Sequence, residues 1–228
     1  MRSPGAAFQS LGNSAVRKLR PQLSNSPLWS IARSVNDFLL VFQWERGGRP
    51  VPPPGGFKRR VLRQFARKYA LNTMIETGTL NAEMDLAMKD QFRRIVTIEL
   101  SPELHDIARK RLARYPHIEC LQGDSSIVLP RALANIDEPC LFWLDAHYSS
   151  GPTAKGDVET PISAELNAVL NHEVRNHVVL IDDARHFDGT HDYPRIAELK
   201  ESVARIRPDL LFTLEDDIIR ITPNSDRH

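Results

Sequence analysis

The sequence predicts an α/β fold: a doubly wound, mostly parallel Rossmann-like sheet with helices on both faces and a C-terminal antiparallel hairpin. Three observations carry this reading. Short apolar runs alternate with amphipathic segments from residue 57 onward, and alternating strands and helices assemble into parallel sheets covered on both sides. Cys140-Leu141-Phe142-Trp143-Leu144 and Val178-Val179-Leu180-Ile181 are apolar without interruption, as befits strands buried on both faces. Near the end, residues 211–214 and 218–221 flank Glu215-Asp216-Asp217, a connection too short for a crossover, so these runs pair as a hairpin.

Taken in order, residues 1–27 are rich in Ser, Asn, Gly, Pro and Arg and are expected to be poorly ordered. Residues 29–44 place Ile31, Val35, Phe38, Leu39 and Phe42 at helical spacing, which predicts a short amphipathic helix. That helix would dock on the domain or form a homodimer, because its polar face has few of the basic residues that favour a membrane surface. Residues 47–56 hold four prolines and four glycines and read as a linker, so the chain divides into an N-terminal extension, 1–56, and a domain, 57–228. Within the domain, residues 57–69 form a basic amphipathic helix and 73–76 the first strand. A helix over 83–92 leads to a strand at 95–99. Pro102 opens a helix reaching residue 114, and a strand follows at 118–121. Residues 125–134 are helical before the 140–144 strand. A further helix starts at Glu159 or Thr160 and reaches about residue 171, ahead of the strand at 178. The last helix spans 193–206.

Composition excludes several classes. Lysines and arginines number 30 against 29 acids in 228 residues, so no charge excess points to nucleic-acid binding. No stretch approaches the ~20 apolar residues of a membrane span. Arg17, Lys18 and Arg20 precede no uninterrupted apolar core of a signal peptide, and Cys120 and Cys140 lie among hydrophobic residues on predicted strands, as inert thiols do. A cytoplasmic protein is expected.

The candidate site lies where apolar runs end in acids. Asp145 follows the 140–144 run, and Asp182 and Asp183 follow the 178–181 run; ligands of open α/β sheets gather outside such strand ends. Converging carboxylates repel and lose hydration unless something positive sits between them, either a hard divalent cation or a basic partner. Arg185 is one such neighbour, and would otherwise grip an anionic substrate group. Each acid alone also reads as a helix cap. The first strand leads into Glu76-Thr77-Gly78-Thr79-Leu80-Asn81-Ala82. Here Gly78 lets a ligand approach the backbone and Ala82 is small enough for close helix packing. An acid before a glycine turn suits a cationic amino group better than a pyrophosphate. Glu99 ends the second strand, where an acid accepts ribose hydroxyls, and Asp124 follows the third, within reach of an adenine amino group.

These residues resemble the class I S-adenosylmethionine-dependent methyltransferases over roughly residues 57–223. Glu76-Thr77-Gly78-Thr79 resembles the first motif of that superfamily, Ile98-Glu99 the second and Gly123-Asp124 the adenine-side motif. The resemblance places Glu76 and Gly78 by the methionine part of the cofactor, Glu99 at the ribose and Asp124 at the adenine, with Asp145 also lining the cofactor. One departure is Ala82, where a further glycine is usual. Asp145 with Asp182 and Asp183 resembles the metal-binding acids of catechol-type and macrocin-type O-methyltransferases, though with a longer interval between the strands. Leu144-Asp145-Ala146-His147 and Ile181-Asp182-Asp183-Ala184-Arg185 are similar to motifs of a bacterial group of methyltransferase-like proteins.

The resemblance implies O-methylation of a small hydroxylated or sugar-like acceptor, with S-adenosylmethionine as cofactor and Mg²⁺ or another divalent cation held by Asp145, Asp182 and Asp183. Asp183 would stand behind the other two on a regular strand, because adjacent residues point to opposite faces; a break after Ile181 would bring both in. Asp145 and His147 are the catalytic candidates, His147 and Tyr148 being the nearest general bases. His147, His186 and His191 together would suit a transition metal, although their spacing matches no metal motif. Residues 149–157 suit a lid, with Lys155 read as a surface charge, and residues 187–193 the opposite wall. Two other classes fit the same residues: a metal-dependent oxygenase of the cephalosporin-hydroxylase-like kind, and a non-catalytic binding or assembly module.

Overall fold

The computed structural model describes residues 27–145 and 160–224. Among them the elements run α1 (Pro27–Arg46), α2 (Gly55–Lys68), β1 (Thr73–Thr77), α3 (Glu83–Met88), β2 (Arg94–Glu99), α4 (Pro102–Leu112) and β3 (Ile118–Gln122). Then follow α5 (Ser125–Leu133), β4 (Cys140–Leu144), α6 (Ile162–Leu170), β5 (Val178–Ile181), α7 (Ile196–Ile206), β6 (Leu210–Glu215) and β7 (Ile218–Pro223). A single 3-10 turn, Ala184–His186, follows β5. No helix among the described residues is long and apolar enough to cross a membrane.

The chain separates into two compact units. In the first, which takes in residues up to Pro50 together with Pro54–Phe57, the Trp44 ring lies on Phe57 with centroids 4.6 Å apart. The Arg49 guanidinium covers both rings. Gly56 is dictated by contact: a Cβ there would fall 2.9 Å from the Cβ of Asp37.

The second unit, Val51–Pro53 with Lys58–His228, holds a seven-stranded sheet in the order β3-β2-β1-β4-β5-β7-β6. Strands β1 to β5 are parallel; β7 joins β5 antiparallel and β6 closes the edge. This is the doubly wound, mostly parallel sheet with a terminal hairpin that the alternating pattern predicts. Strand order reverses between β1 and β4, and the crevice at such a switch point is where open sheets take ligands. The uninterrupted apolar runs are explained by position, because β1, β4 and β5 are interior strands with every residue buried. On one face, Ile75, Val96, Phe142, Leu129, Leu133, Leu166 and Val169 form a continuous core with Ile219 and Ile221.

Local chemistry sets the element ends. Ser101 caps α4 through Leu104 N–H, with Pro102 at the first helical position. Asp216 and Asp217 both adopt positive φ, 52° and 62°, the left-handed pair that a two-residue hairpin turn requires and that Asp tolerates. Five helices are shorter than their sequence patterns: α4 and α5 lose only two residues and one at their ends, and three others differ more. The segment expected to be helical over 83–92 stops at Met88 because Phe92 is buried and Arg93 N–H already bonds Asn72 O, turning the chain into β2. The helix expected from 193 starts at Ile196, since Pro194 disfavours helical backbone at Tyr193. The one expected from Glu159 or Thr160 starts at Ile162, after Pro161. Conversely, α2 begins at Gly55 inside the segment read as a linker, and α1 extends beyond 29–44 to Pro27–Arg46.

Candidate active site

The acids at the strand ends converge. Asp145 N–H donates to Thr77 O at 3.1 Å and Asp182 N–H to Leu144 O at 3.1 Å, so both residues are held in line with the sheet edge. Regular strand ends at Ile181, and Asp183 takes left-handed backbone at φ 54° with its N–H on Asp182 Oδ1 at 2.9 Å. This is the break that allows consecutive carboxylates to face one place. Ligand oxygens of Asp145, Asp182 and Asp183 lie within 4.8 Å of one another.

Two cations already address this cluster. Lys58, on α2, donates through Nζ to Asp182 Oδ2 and, at 3.2 Å, to Asp183 Oδ1. Arg185 Nη1 donates to Asp183 Oδ1 at 2.9 Å and also to Asp217 Oδ2. Asp217 in turn accepts Arg185 N–H on Oδ1 at 2.8 Å, and its carbonyl takes Ala184 N–H at 2.9 Å. The β6–β7 turn therefore fixes the loop that presents Asp183.

Charge balance is uneven across the cluster. Burial and the neighbouring Asp145 push the Asp182 carboxyl up to about 8, although Lys58 opposes them. Burial acts the same way on Asp183, but Lys58 and Arg185 outweigh it and hold that group below the usual carboxylate value. Beside Asp145 and Asp182 lies a small, open cleft walled by Leu144, Ile162, Ile181, Phe187, Thr160 and Tyr193. Burial, reinforced by nearby carboxylates, pushes the Tyr193 phenol up to about 12. The expected wall at residues 187–193 is thus present in Phe187 and Tyr193. His186 packs near the Tyr193 ring, at 6.0 Å between centroids, and neither it nor His191 joins the acidic group among the described residues. His147, Tyr148 and the segment 149–157 with Lys155 lie outside the described residues.

The turn after β1 forms the other half of the crevice. Gly78 has φ 88° and donates to Ile98 O at 3.0 Å. Glu99 accepts Leu80 N–H at 2.7 Å on one oxygen and Ser101 N–H at 2.9 Å on the other, stapling the turn to the end of β2. Asp124 caps α5, its Oδ1 accepting Ser126 N–H at 2.8 Å and Ser126 O–H at 2.6 Å. Gly123 is at φ 141°, and a Cβ there would meet Val128 at 2.8 Å. Ala82 is fully buried with φ 54°, a backbone where glycine would be unstrained.

Beneath this turn lie three buried carboxyls, Glu76, which the sequence singles out, and Asp85 and Glu165, which it does not. Glu76 accepts Thr97 O–H at 3.0 Å, and burial together with Asp85 raises it well above its ordinary value. Burial lifts Asp85 to about 6 and Glu165, on α6, to about 7. Neither oxygen of Asp85 or Glu165 meets a hydrogen-bond partner in good geometry among the described residues, nor does Thr77 Oγ1, although Glu76 lies close to Asp85, and Ser125 and Thr77 close to Glu165. Glu165 falls on the same helical stripe as Ile162, Leu166 and Val169, and that position inside an apolar face is the signal that would have found it. Lys58 is placed likewise, three, four and seven residues before the buried Val61, Leu62 and Phe65. Cys120 and Cys140 are free thiols pushed up to about 12 by burial, which fits the expected inertness.

No protein-family model and no curated protein sequence matches the chain. Solved structures do. An O-methyltransferase from Bacillus cereus, in complex with S-adenosylhomocysteine, is 16% identical with a TM-score of 0.55, covering 92% of this chain and 97% of its own. An O-methyltransferase of tomaymycin synthesis from Streptomyces achromogenes, in complex with S-adenosylmethionine, is 16% identical with a TM-score of 0.55, covering 82% and 89%. A methyltransferase from Podospora anserina bound to S-adenosylhomocysteine is 16% identical with a TM-score of 0.51, covering 93% and 96%. The fold is therefore the Rossmann-like fold of these methyltransferases.

Proposed function

We propose that the chain is an S-adenosylmethionine-dependent methyltransferase that methylates an oxygen of a small hydroxylated or sugar-like acceptor. The observation that carries this is the glycine turn after β1, tied to Glu99 and set above buried carboxyl groups. Buried carboxyls that ionise when a cation arrives suit a cationic amino group better than a pyrophosphate. The residues fit the cofactor. A carboxylate has about four acceptor positions, so Glu99 retains capacity for ribose hydroxyls beside its two backbone donors. The cap on Asp124 uses Oδ1, and Oδ2 would meet the adenine amino group. Glu76 would face the amino-acid part, with Gly78 allowing close approach. When bound, the cofactor supplies an electrophilic methyl group on a sulfonium.

The acceptor belongs in the cleft between Asp145, Asp182, Phe187 and Tyr193. Aligning it with the methyl group is the main task, and alignment is worth about 7–11 kcal/mol in favourable intramolecular cases. Asp182, its carboxyl lifted to about 8, is suited in its ionised form, which the Lys58 ammonium favours, to take a proton from an acceptor hydroxyl; Asp145 would orient that hydroxyl, and His147, two residues beyond Asp145, would be a second base. Three carboxylates within 4.8 Å are a donor set of the kind that holds Mg²⁺, but Lys58 Nζ already lies on two of them. A bound divalent ion would lower the pKa of a coordinated hydroxyl. The test is calorimetric titration of S-adenosylmethionine into the protein and into Glu99→Ala, with and without Mg²⁺. Saturable binding that weakens about tenfold or more in the variant is expected, as for loss of a hydrogen bond to a charged group. No heat of binding under either condition refutes the reading.

A further inference from the structure

We infer that the ε-ammonium of Lys58 is the resident cation of the acidic cluster, and that it holds Asp182 and Asp183 where a divalent ion would otherwise have to hold them. This inference concerns the cation alone and does not depend on methyl transfer.

The geometry is that of a built counter-ion. Nζ reaches one oxygen from each member of the Asp182–Asp183 pair, and the left-handed backbone at Asp183 is what turns the second carboxylate towards it. The Lys58 side chain is 16% exposed and that of Asp182 is 2% exposed, so water does little to screen the contact. Burial alone would push the ammonium down, yet Asp182, Asp183 and Asp145 together hold it above the usual lysine value. A charged residue in the apolar stripe of α2, in line with Val61, Leu62 and Phe65, is costly to bury without a partner. Here the partner is the acid pair.

Arg185 does not fill the same role, because it is shared with Asp217 at the hairpin turn. Competition with a metal then follows from the donor atoms. A divalent ion needs carboxylate oxygens at about 2.1 Å for Mg²⁺, and Asp182 Oδ2 and Asp183 Oδ1 are the atoms already turned to Nζ. A cation tethered to α2 also competes at a high effective concentration. Lys58 is therefore a positioning residue: it aligns the two carboxylates beside the acceptor cleft and supplies the positive charge next to them.

The experiment is titration of the full chain with Mn²⁺ alone, followed by electron paramagnetic resonance and by thermal unfolding. The unaltered protein should show no saturable Mn²⁺ binding up to about 1 mM, the weak end of protein cation sites, and no Mn²⁺-dependent change in Tm. Lys58→Met should lower Tm by roughly 10 °C in metal-free buffer, the loss expected for breaking a buried ion pair in a chain of this size. It should also gain one Mn²⁺ site at least about tenfold tighter than any in the unaltered protein, with Tm recovering as that site fills. Adding Asp182→Asn to it should abolish the gained site, and Lys58→Arg should gain none. A merely structural lysine would lower Tm without creating a metal site. Should Lys58→Met not fold, Lys58→Gln, which retains a donor, is titrated with the same expectations. Stoichiometric Mn²⁺ binding by the unaltered protein that Asp182→Asn removes, or failure of the Lys58 variants to gain a site, overturns the inference. Because no S-adenosylmethionine is present, either result leaves the cofactor titration to be judged separately.

Discussion

Removing the side chain of Asp217 should destabilise the protein by about 4 kcal/mol, and the structure apportions that loss. Its Oδ1 accepts Arg185 N–H at 2.8 Å and its Oδ2 accepts the Arg185 guanidinium, with the carboxylate only 2% exposed. A hydrogen bond to a charged group is worth about 1.5–3 kcal/mol, and the backbone donor cannot easily find a substitute. The guanidinium is 32% exposed and can hydrate, so its share is nearer 1 kcal/mol. Asp217 also sits at φ 62°, where alanine pays about 1–2 kcal/mol that Asp, with its local hydrogen bonding, largely avoids. Relief of carboxylate burial offsets part of the total. Asp217→Asn preserves the acceptor and the tolerance of left-handed backbone, so it should lose about half as much as Asp217→Ala, while Asp217→Gly isolates the backbone contribution. The assay is urea unfolding followed by fluorescence, to which the fully buried Trp143 contributes, with an unchanged slope required for the comparison. A loss below about 1 kcal/mol for Asp217→Ala, or equal losses for Ala and Asn, would refute the claim that this turn clamps the Asp183 loop.

Other consequences are as direct. Glu165 is neutral in the fold up to about pH 7, whereas in the unfolded chain it ionises near its ordinary value. The native state thus binds more protons between about pH 4.5 and 7, and stability contributed by the neutral group is present below that window and lost as pH rises through it. Glu165→Gln should gain about 3 kcal/mol relative to the unaltered protein on going from pH 4.5 to pH 8. Urea unfolding at both values checks this, and parallel pH profiles for the two proteins would sink it. At the strained, fully buried Ala82, Ala82→Gly should change stability by less than about 1 kcal/mol, since relief of backbone strain offsets the lost methyl and the added chain entropy. Ala82→Val should cost about 3 kcal/mol or more through left-handed strain and overpacking. Equal unfolding midpoints for the Gly and Val variants would contradict the positive φ.

The sheet was legible because its signals are local. The 140–144 and 178–181 runs are apolar throughout for the plain reason that β4 and β5 lie between other strands, and the hairpin announces itself in Asp216-Asp217. Strand-end acids were legible for the same reason: Asp145 and Asp182 each follow the last apolar residue of a run. What could not be read is whatever depends on a partner far along the chain. Asp182 and Asp183 lie more than a hundred residues beyond Lys58, and only the sheet order brings α2 to them. The backbone reversal at Asp183 was left open because sequence shows the acid pair but not where the strand stops. Asp124 illustrates the opposite case, in which the modest reading, a helix cap, is realised in the hydrogen bonds to Ser126.

A common thread joins the residues that were overlooked. Lys58 and Glu165 both occupy positions that helical spacing assigns to the core, the first with Val61, Leu62 and Phe65, the second with Ile162, Leu166 and Val169. Periodicity tolerates one polar residue in such a stripe without losing the helix, so the pattern alone singles out neither. Physically the stripe says the reverse. Burying an ionised group without compensation costs several kcal/mol, which leaves two outcomes: find an opposite charge, or give up the charge. Lys58 took the first, with its ammonium against Asp182 and Asp183. Glu165 took the second, lifted to about 7 by burial with no partner in good geometry among the described residues. The two outcomes have different consequences for a ligand. A paired group resists displacement and organises the acids around it, whereas a neutral buried carboxyl beside the Thr77 strand end ionises most readily when something cationic arrives. Lys58 thus organises the acids at the ends of β4 and β5, while the buried carboxyls beneath the β1 turn stay neutral until a cation arrives.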